Sequence, residues 1–218
     1  VEGVPNAALR SLRPVADIAP TPNFLSSCGS TAYNDSITCV VPALAAINNA
    51  RAAEDLPPMV LPTNWTALTA AQQLFVATNF ERTVRGLAPL SSMSTALDAA
   101  AAQGAAEGRD PLVPAGFPWA GFASNWAGPA GNPLEAIYYW MYDDGPGSTN
   151  IDCSSSNPGG CWEHRQNVLF PLACTPCVMG GAWGTTASGA TSVAQLIVVT
   201  GGDPTADFRW AQEQAYLQ

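Results

Sequence analysis

The run Cys161-Trp-Glu163-His164-Arg165-Gln-Asn167 holds the only histidine in a chain of 218 residues. Imidazole is the side chain whose ordinary pKa lies near neutrality, so acid–base chemistry at neutral pH would use His164. Other residues offer partners for it. Ser124, Asp143 or Asp144, and His164 follow the chain order of one Ser–Asp–His arrangement, although Gly121-Phe-Ala-Ser124-Asn-Trp126 is no nucleophile elbow. Glu163 and Asp144 could instead form a glycosidase pair, which needs carboxylates about 5–5.5 Å or about 6.5–9.5 Å apart. Each residue also has a structural reading. A histidine beside Trp162 and Cys161 can be a hydrogen-bonded packing residue, Glu163 a solvated partner of Arg165, and Asp143-Asp144 part of a turn.

Composition narrows the partners. Charged residues make up 11% of the chain, the basic ones are all arginine, and the net charge is −9. No basic patch is available to displace counterions from phosphates, which excludes nucleic acid as a partner. Docking on anionic lipid is disfavoured for the same reason. The alanine, glycine and arginine bias without lysine points to a GC-rich bacterial genome.

Six cysteines, at 28, 39, 153, 161, 174 and 177, all lie in loop-like contexts. An even count in polar, turn-rich segments reads as disulfides in an oxidising compartment. Proximity favours the pairs 28–39, 153–161 and 174–177. Cys174-Thr-Pro-Cys177 also has the spacing of a redox motif or half a zinc site, but neither a thioredoxin-like context nor a second matching pair is visible. The chain starts at Val1 without Met or an apolar h-region, so a signal peptide is expected to have been removed. Its longest aliphatic run, Leu196-Ile-Val-Val199, falls far short of the ~20 residues that span a bilayer, and a soluble monomer is expected.

Several elements must position these residues. The proline-rich stretch 1–40 reads as an irregular arm with a disulfide loop, followed by a single domain over 41–218. A helix is expected over 42–54 with Pro42 in its first turn, ended by Leu56-Pro-Pro58. Thr69-Ala-Ala-Gln72 is a capping box opening a helix that closes near Gly86. An alanine-rich helix over about 94–106 has a small-residue face suited to close packing. A strand is expected near 120–127. Asn132-Pro-Leu-Glu135 supplies an N-cap, a first-turn proline and an N3 acid for a helix reaching Tyr142. A short helix carries His164, two strands cover 178–184 and 193–200, and a helix over about 207–215 ends the chain.

There is an internal echo. Asn48-x-x-Arg51-x-x-x-Asp55-Leu56-x-Pro58-Met59 matches Asn79-x-x-Arg82-x-x-x-Gly86-Leu87-x-Pro89-Leu90 position for position. Two copies do not make a solenoid. Both describe a helix whose Asn and Arg face its own C-terminal turn before a Leu-x-Pro exit. A shared exit device and a true duplication both fit.

In order and spacing these segments resemble the CAP superfamily of cysteine-rich secretory, antigen 5 and pathogenesis-related group-one proteins. The likeness covers about 70–205. It is carried by Asn79-Phe-Glu-Arg82 with Gly86-Leu-Ala-Pro-Leu90, by Ser124-Asn-Trp126, by Glu135-Ala-Ile-Tyr-Tyr-Trp140, and by Trp162-Glu-His164-Arg-Gln-Asn-Val-Leu169. The resemblance implies an α+β fold, a three-layer α-β-α sandwich around a central antiparallel sheet. Many members line a cleft with two histidines and two acids, sometimes with a divalent metal. Here His164 matches the later histidine, Asp143 or Asp144 stands for one acid, Ser124 replaces the other, and the earlier histidine is absent. A zinc site on two imidazoles is therefore impossible within one chain, and no cofactor is expected. The function implied is a secreted domain whose cleft binds a small apolar, lipid or glycan ligand. Asn125, Trp126, Trp140, Trp162 and Arg165 are candidate ligand contacts beside His164. An extracellular hydrolase using His164, Asp143, Asp144, Glu163 and Ser124 is the alternative.

Overall fold

The computed structural model describes residue 14 and residues 17–29, 31–171, 176–201 and 206–218. Its helices are α1 (Leu25–Cys28), α2 (Ile37–Ala53), α3 (Ala70–Thr83), α4 (Thr95–Glu107), α5 (Pro133–Tyr142), α6 (Glu163–Val168) and α7 (Trp210–Glu213). The strands are β1 (Ser92–Ser94), β2 (Gly121–Ala127), β3 (Cys177–Thr185), β4 (Thr191–Val199) and β5 (Ala206–Arg209). They form one sheet in the order β2-β4-β3-β1-β5.

The fold is α+β with helices on both faces of the sheet, and alternation along the strands explains why. On β3 and β4, Val178, Ala182, Ala194, Leu196 and Val198 meet Leu97, Ala101 and Ala105 of α4. The intervening Met179, Val193 and Ile197 join the larger core with Leu74, Phe75 and Ile137 of α3 and α5. Period-two patterning thus gives each face its own helix layer. Gly180 sets the α4 spacing, because a Cβ there would lie 2.1 Å from the Leu97 carbonyl carbon. The small-residue face of α4 packs as closely as its composition implies.

The expected antiparallel sheet needs one correction. β2–β4, β4–β3 and β1–β5 are antiparallel, but β1 runs parallel to β3, with Ser92 opposite Val178. The helix expected over 207–215 is also corrected. Residues 206–209 extend to pair with β1, placing Phe208 on Phe75 at 5.8 Å between ring centroids, and only then does the chain turn helical. The helix α2 starts at Ile37, so Pro42 lies inside it rather than in its first turn. The disulfide at Cys39 ties this early turn to α1.

The caps of α3 and α5 form as the sequence implies. Thr69 and Gln72 cap each other's backbone, and Asn132 Oδ1 accepts the Glu135 amide at 3.1 Å. The bridges Cys28–Cys39 and Cys153–Cys161 are present. Cys177 is also disulfide-bonded, while Cys174 lies outside the described residues. The described part of the N-terminal arm packs into the protein. Phe24 is fully buried against Tyr138, and Ile18 exchanges hydrogen bonds with Tyr142 and Tyr138.

Behind α3 and α5 lies a buried ionic cluster. Glu81 receives Arg51 and Arg85, Glu54 receives Arg85 and Arg165 at 2.8 and 2.7 Å, and the Tyr142 hydroxyl donates to Glu81. Burial pushes the Glu81 carboxyl up, but Arg51 and Arg85 more than offset it and hold it below the ordinary value. Removing one partner would leave a charge buried and uncompensated, the costly way to break such a cluster.

Candidate functional site

Asp144 organises the site. It follows the last turn of α5, is 1% exposed, and its Oδ1 lies 2.7 Å from His164 Nδ1. The same carboxylate accepts Asn150 Nδ2 at 2.7 Å and the Arg165 amide at 3.0 Å. It thereby caps α6, whose N-cap residue Trp162 has φ +64° and makes no side-chain cap of its own. The Asp144 carbonyl in turn accepts the Trp162 amide at 2.8 Å. Gly145 makes room for this arrangement, since a Cβ there would come within 2.1 Å of the Trp162 ring. From the other side, Asn125 Nδ2 donates to the His164 carbonyl and to Gln195 Oε1, both at 3.2 Å.

His164 Nδ1 is thus fixed, while Nε2 has no hydrogen-bond partner among the described residues and the ring lines an open cleft of about 560 Å³. The cleft lies beyond the edge strand β2. It is lined by Trp126, Tyr139 and Trp140, by Ala127-Gly-Pro129, and by Pro20, Leu25 and Ile151, of which Leu25 and Ile151 are exposed. Asp110, Asp143, Asp144 and Asp152 supply its polar side. Edge strand β2 is closed to pairing here. The Trp126 carbonyl accepts Trp140 Nε1 at 3.2 Å and its amide bonds to Asp110, while the Ser124 carbonyl accepts Asn167 Nδ2.

Electrostatics follow from this crowding. Burial lowers the His164 pKa, but the Asp144 hydrogen bond and charge, with Asp110 and Asp152, more than reverse it, so the imidazolium is favoured. Burial raises Asp144, held back by His164 and by its other donors. Asp143 is also raised by burial, against the Thr149 hydroxyl and amide that bond to it at 2.8 and 3.3 Å. Both aspartates are buried. The main-chain and side-chain donors around them make that burial tolerable.

The structure brings together His164, Asp143, Asp144, Trp126 and Trp140. It does not bring Ser124, Glu163, Asn125, Trp162 or Arg165 into the cleft lining. Ser124 and Asn125 alternate on β2, and it is Asn125 that turns toward His164. Glu163 is exposed outside the cleft. Trp162 is buried behind Gly145, and Arg165 is consumed by Glu54 and the Met141 carbonyl, with its guanidinium over the Tyr142 and Trp162 rings. Of the remaining aromatics, Tyr138 and Tyr142 are core, and Trp119 is half-exposed against Phe122. Asp110, Asp152, Thr149 and the arm residues Pro20 and Leu25 escaped the sequence reading as members of one site. Asn150-Ile-Asp152 in a loop following paired acids was the available signal. Among the described residues, no group of three His, Cys, Asp or Glu side chains could hold a metal ion. No helix among them is long and apolar enough to cross a membrane.

No protein-family model, curated protein or solved structure matches this chain.

Proposed function

We propose that this is a secreted, CAP-like domain whose cleft beside His164 binds a small, largely apolar molecule, a lipid or a glycan of the cell envelope. The observation that carries the reading is the cleft itself. It is about 560 Å³ with aromatic walls and one oriented imidazole, and small-molecule sites typically occupy about 300–1,000 Å³ with this mix of apolar wall and few polar groups. The disulfides support an oxidising compartment. The order of an Asn79/Arg82 helix, the Asn125 strand, the Trp140 helix and the His164 helix around a layered sheet supports the CAP resemblance.

A hydrolase retains one supporting feature, the Asp144–His164 pair in the cleft lining, with the imidazole oriented through Nδ1 as a general base would be. Among the described residues, no free serine, threonine or cysteine side chain lines the cleft beside it. Ser124 is outside the lining, and the Thr149 hydroxyl is committed to Asp143. Binding is therefore the better account.

The neutral fluorophore N-phenyl-1-naphthylamine tests it. Saturable one-to-one fluorescence enhancement is expected, weakened several-fold by Leu25→Gln with Ile151→Gln. Those rim side chains are 42% and 85% exposed, so the fold does not depend on them. No saturable binding by the wild-type chain would overturn the reading.

A further inference from the structure

We infer that the cleft selects a cationic amphiphile, a ligand with an apolar body and an ammonium-type head, over neutral or anionic molecules of the same size. The inference rests on the binding reading above and adds the ligand's charge. Asp110, Asp144 and Asp152 all lie close enough to His164 to act on its charge, and Asp143 lines the same cleft. Even with the imidazole protonated, three carboxylates around one cation leave that side net negative. Asp17 adds a further carboxyl behind Asp143, where it accepts the Gly145 amide at 3.3 Å.

Among the described residues, the one arginine in the lining does not offset them. Arg109 is 45% exposed at the rim, and Glu107 holds its guanidinium at 2.5 Å. The rest of the wall also suits a cation. Trp126 and Tyr139, both only partly buried, offer the aromatic surface that attracts ammonium groups as well as alkyl chains, and attraction grows where water is excluded. An anionic head in the same place would meet uncompensated carboxylates and lose its hydration. The net charge of −9 acts in the same direction at longer range, drawing cations toward the mouth.

The test compares octyltrimethylammonium, octyl glucoside and octyl sulfate, each below its critical micelle concentration, by calorimetric titration at about pH 8, above the ordinary imidazole pKa. The ammonium compound is expected to bind about ten-fold more tightly than the glucoside at low salt, a preference that added salt erodes. The sulfate should bind weakest. Asp110→Asn with Asp152→Asn should narrow the ammonium-over-glucoside preference several-fold, Asp143 and Asp144 keeping part of it, with a thermal melt reporting that the double variant stays folded. An unchanged preference in the folded double variant would overturn the charge inference. Equal affinity for the ammonium compound and the glucoside, or tightest binding of the sulfate, would overturn the charge inference and leave the binding reading standing. Binding of none of the three would overturn both.

Discussion

At the scale of single residues, Asp144 explains why the histidine is placed as it is. One carboxylate orients the ring, caps α6 and gathers Asn150, so position and chemistry cannot be separated. The neighbouring Gly145 is as constrained. Gly145→Ala must displace the Trp162 ring, and with it the start of α6. It is expected to lower Tm by several degrees and to cut cleft binding, as read by thermal melts and N-phenyl-1-naphthylamine titration. Asp17 presents the opposite case. Burial, aided by the Asp143 charge, raises its pKa to about 6, so its ionisation costs stability as pH rises from the ordinary carboxylate range through that value. Asp17→Asn should raise Tm at neutral pH and leave it nearly unchanged near pH 4, and a drop at neutral pH would show that the negative charge is needed there. Sequence alone singled out His164 and the paired aspartates because lone imidazoles and adjacent acids are conspicuous. It could not reveal Asp110 and Asp152, which come from two loops and become neighbours of His164 only when the chain closes around the edge of β2.

At the scale of elements, the internal echo resolves into one hydrogen-bonding device used twice. Asn48 exchanges bonds with the Met59 backbone at 2.6 and 3.1 Å, and Asn79 does the same with Leu90 at 2.7 and 3.2 Å. Arg51 donates to the Pro57 carbonyl and Arg82 to that of Ala88, while the Leu56 and Leu87 amides return to the carbonyls of Arg51 and Arg82. Both exits pass through a left-handed residue, Asp55 at φ +58° and Gly86 at φ +75°. Outside this device the two arginines diverge. Arg51 pairs with Glu81, whereas Arg82 reaches the Val168, Phe170 and Pro171 carbonyls and pins the end of α6 to α3. Burial lowers the Arg82 pKa to about 10.

Conformation at the two exits makes a paired prediction. Gly86→Ala should destabilise by about 1–2 kcal/mol, because a side chain is disfavoured at that φ, while Asp55→Gly should be neutral or stabilising in the same denaturant titration. The helices, their caps and the β3–β4 hairpin were legible because capping residues and alternation are local signals. The strands β1 and β5 were not. Each is three or four residues long, and their strand character comes from register against neighbours distant in sequence.

At the scale of the whole molecule, the acids set the response to pH. Asp17 and Asp98 are each raised to about 6, and Asp110, Asp143, Asp144 and Glu135 are raised too, in each case chiefly by burial. The folded state therefore keeps protons that the unfolded chain has released, and stability falls as pH rises through this range. Glu81 works in the opposite sense, contributing stability that is lost as pH falls through its lowered value. Thermal melts should show a maximum near pH 5 and a decline toward pH 8. A maximum at neutral or alkaline pH would contradict this picture. The arm was read as having little to bury, yet Phe24 is fully buried, and Phe24→Ala should cost about 3–5 kcal/mol. Four prolines and few apolar residues gave no hint that Phe24 would be buried against Tyr138. His164 follows the same sign as the raised acids. Its contribution to stability is fully present below the unfolded imidazole pKa and is lost as pH rises through the higher folded value. Because it is the only histidine, its ring protons can be followed without assignment. A proton NMR titration of that ring, with and without saturating octyl glucoside, tests most directly whether it belongs to a binding cleft. The account predicts a pKa above the ordinary histidine value in the free protein and a saturable ligand-induced shift of the ring resonances. A depressed pKa, or ring resonances indifferent to a ligand that calorimetry shows to be bound, would contradict it.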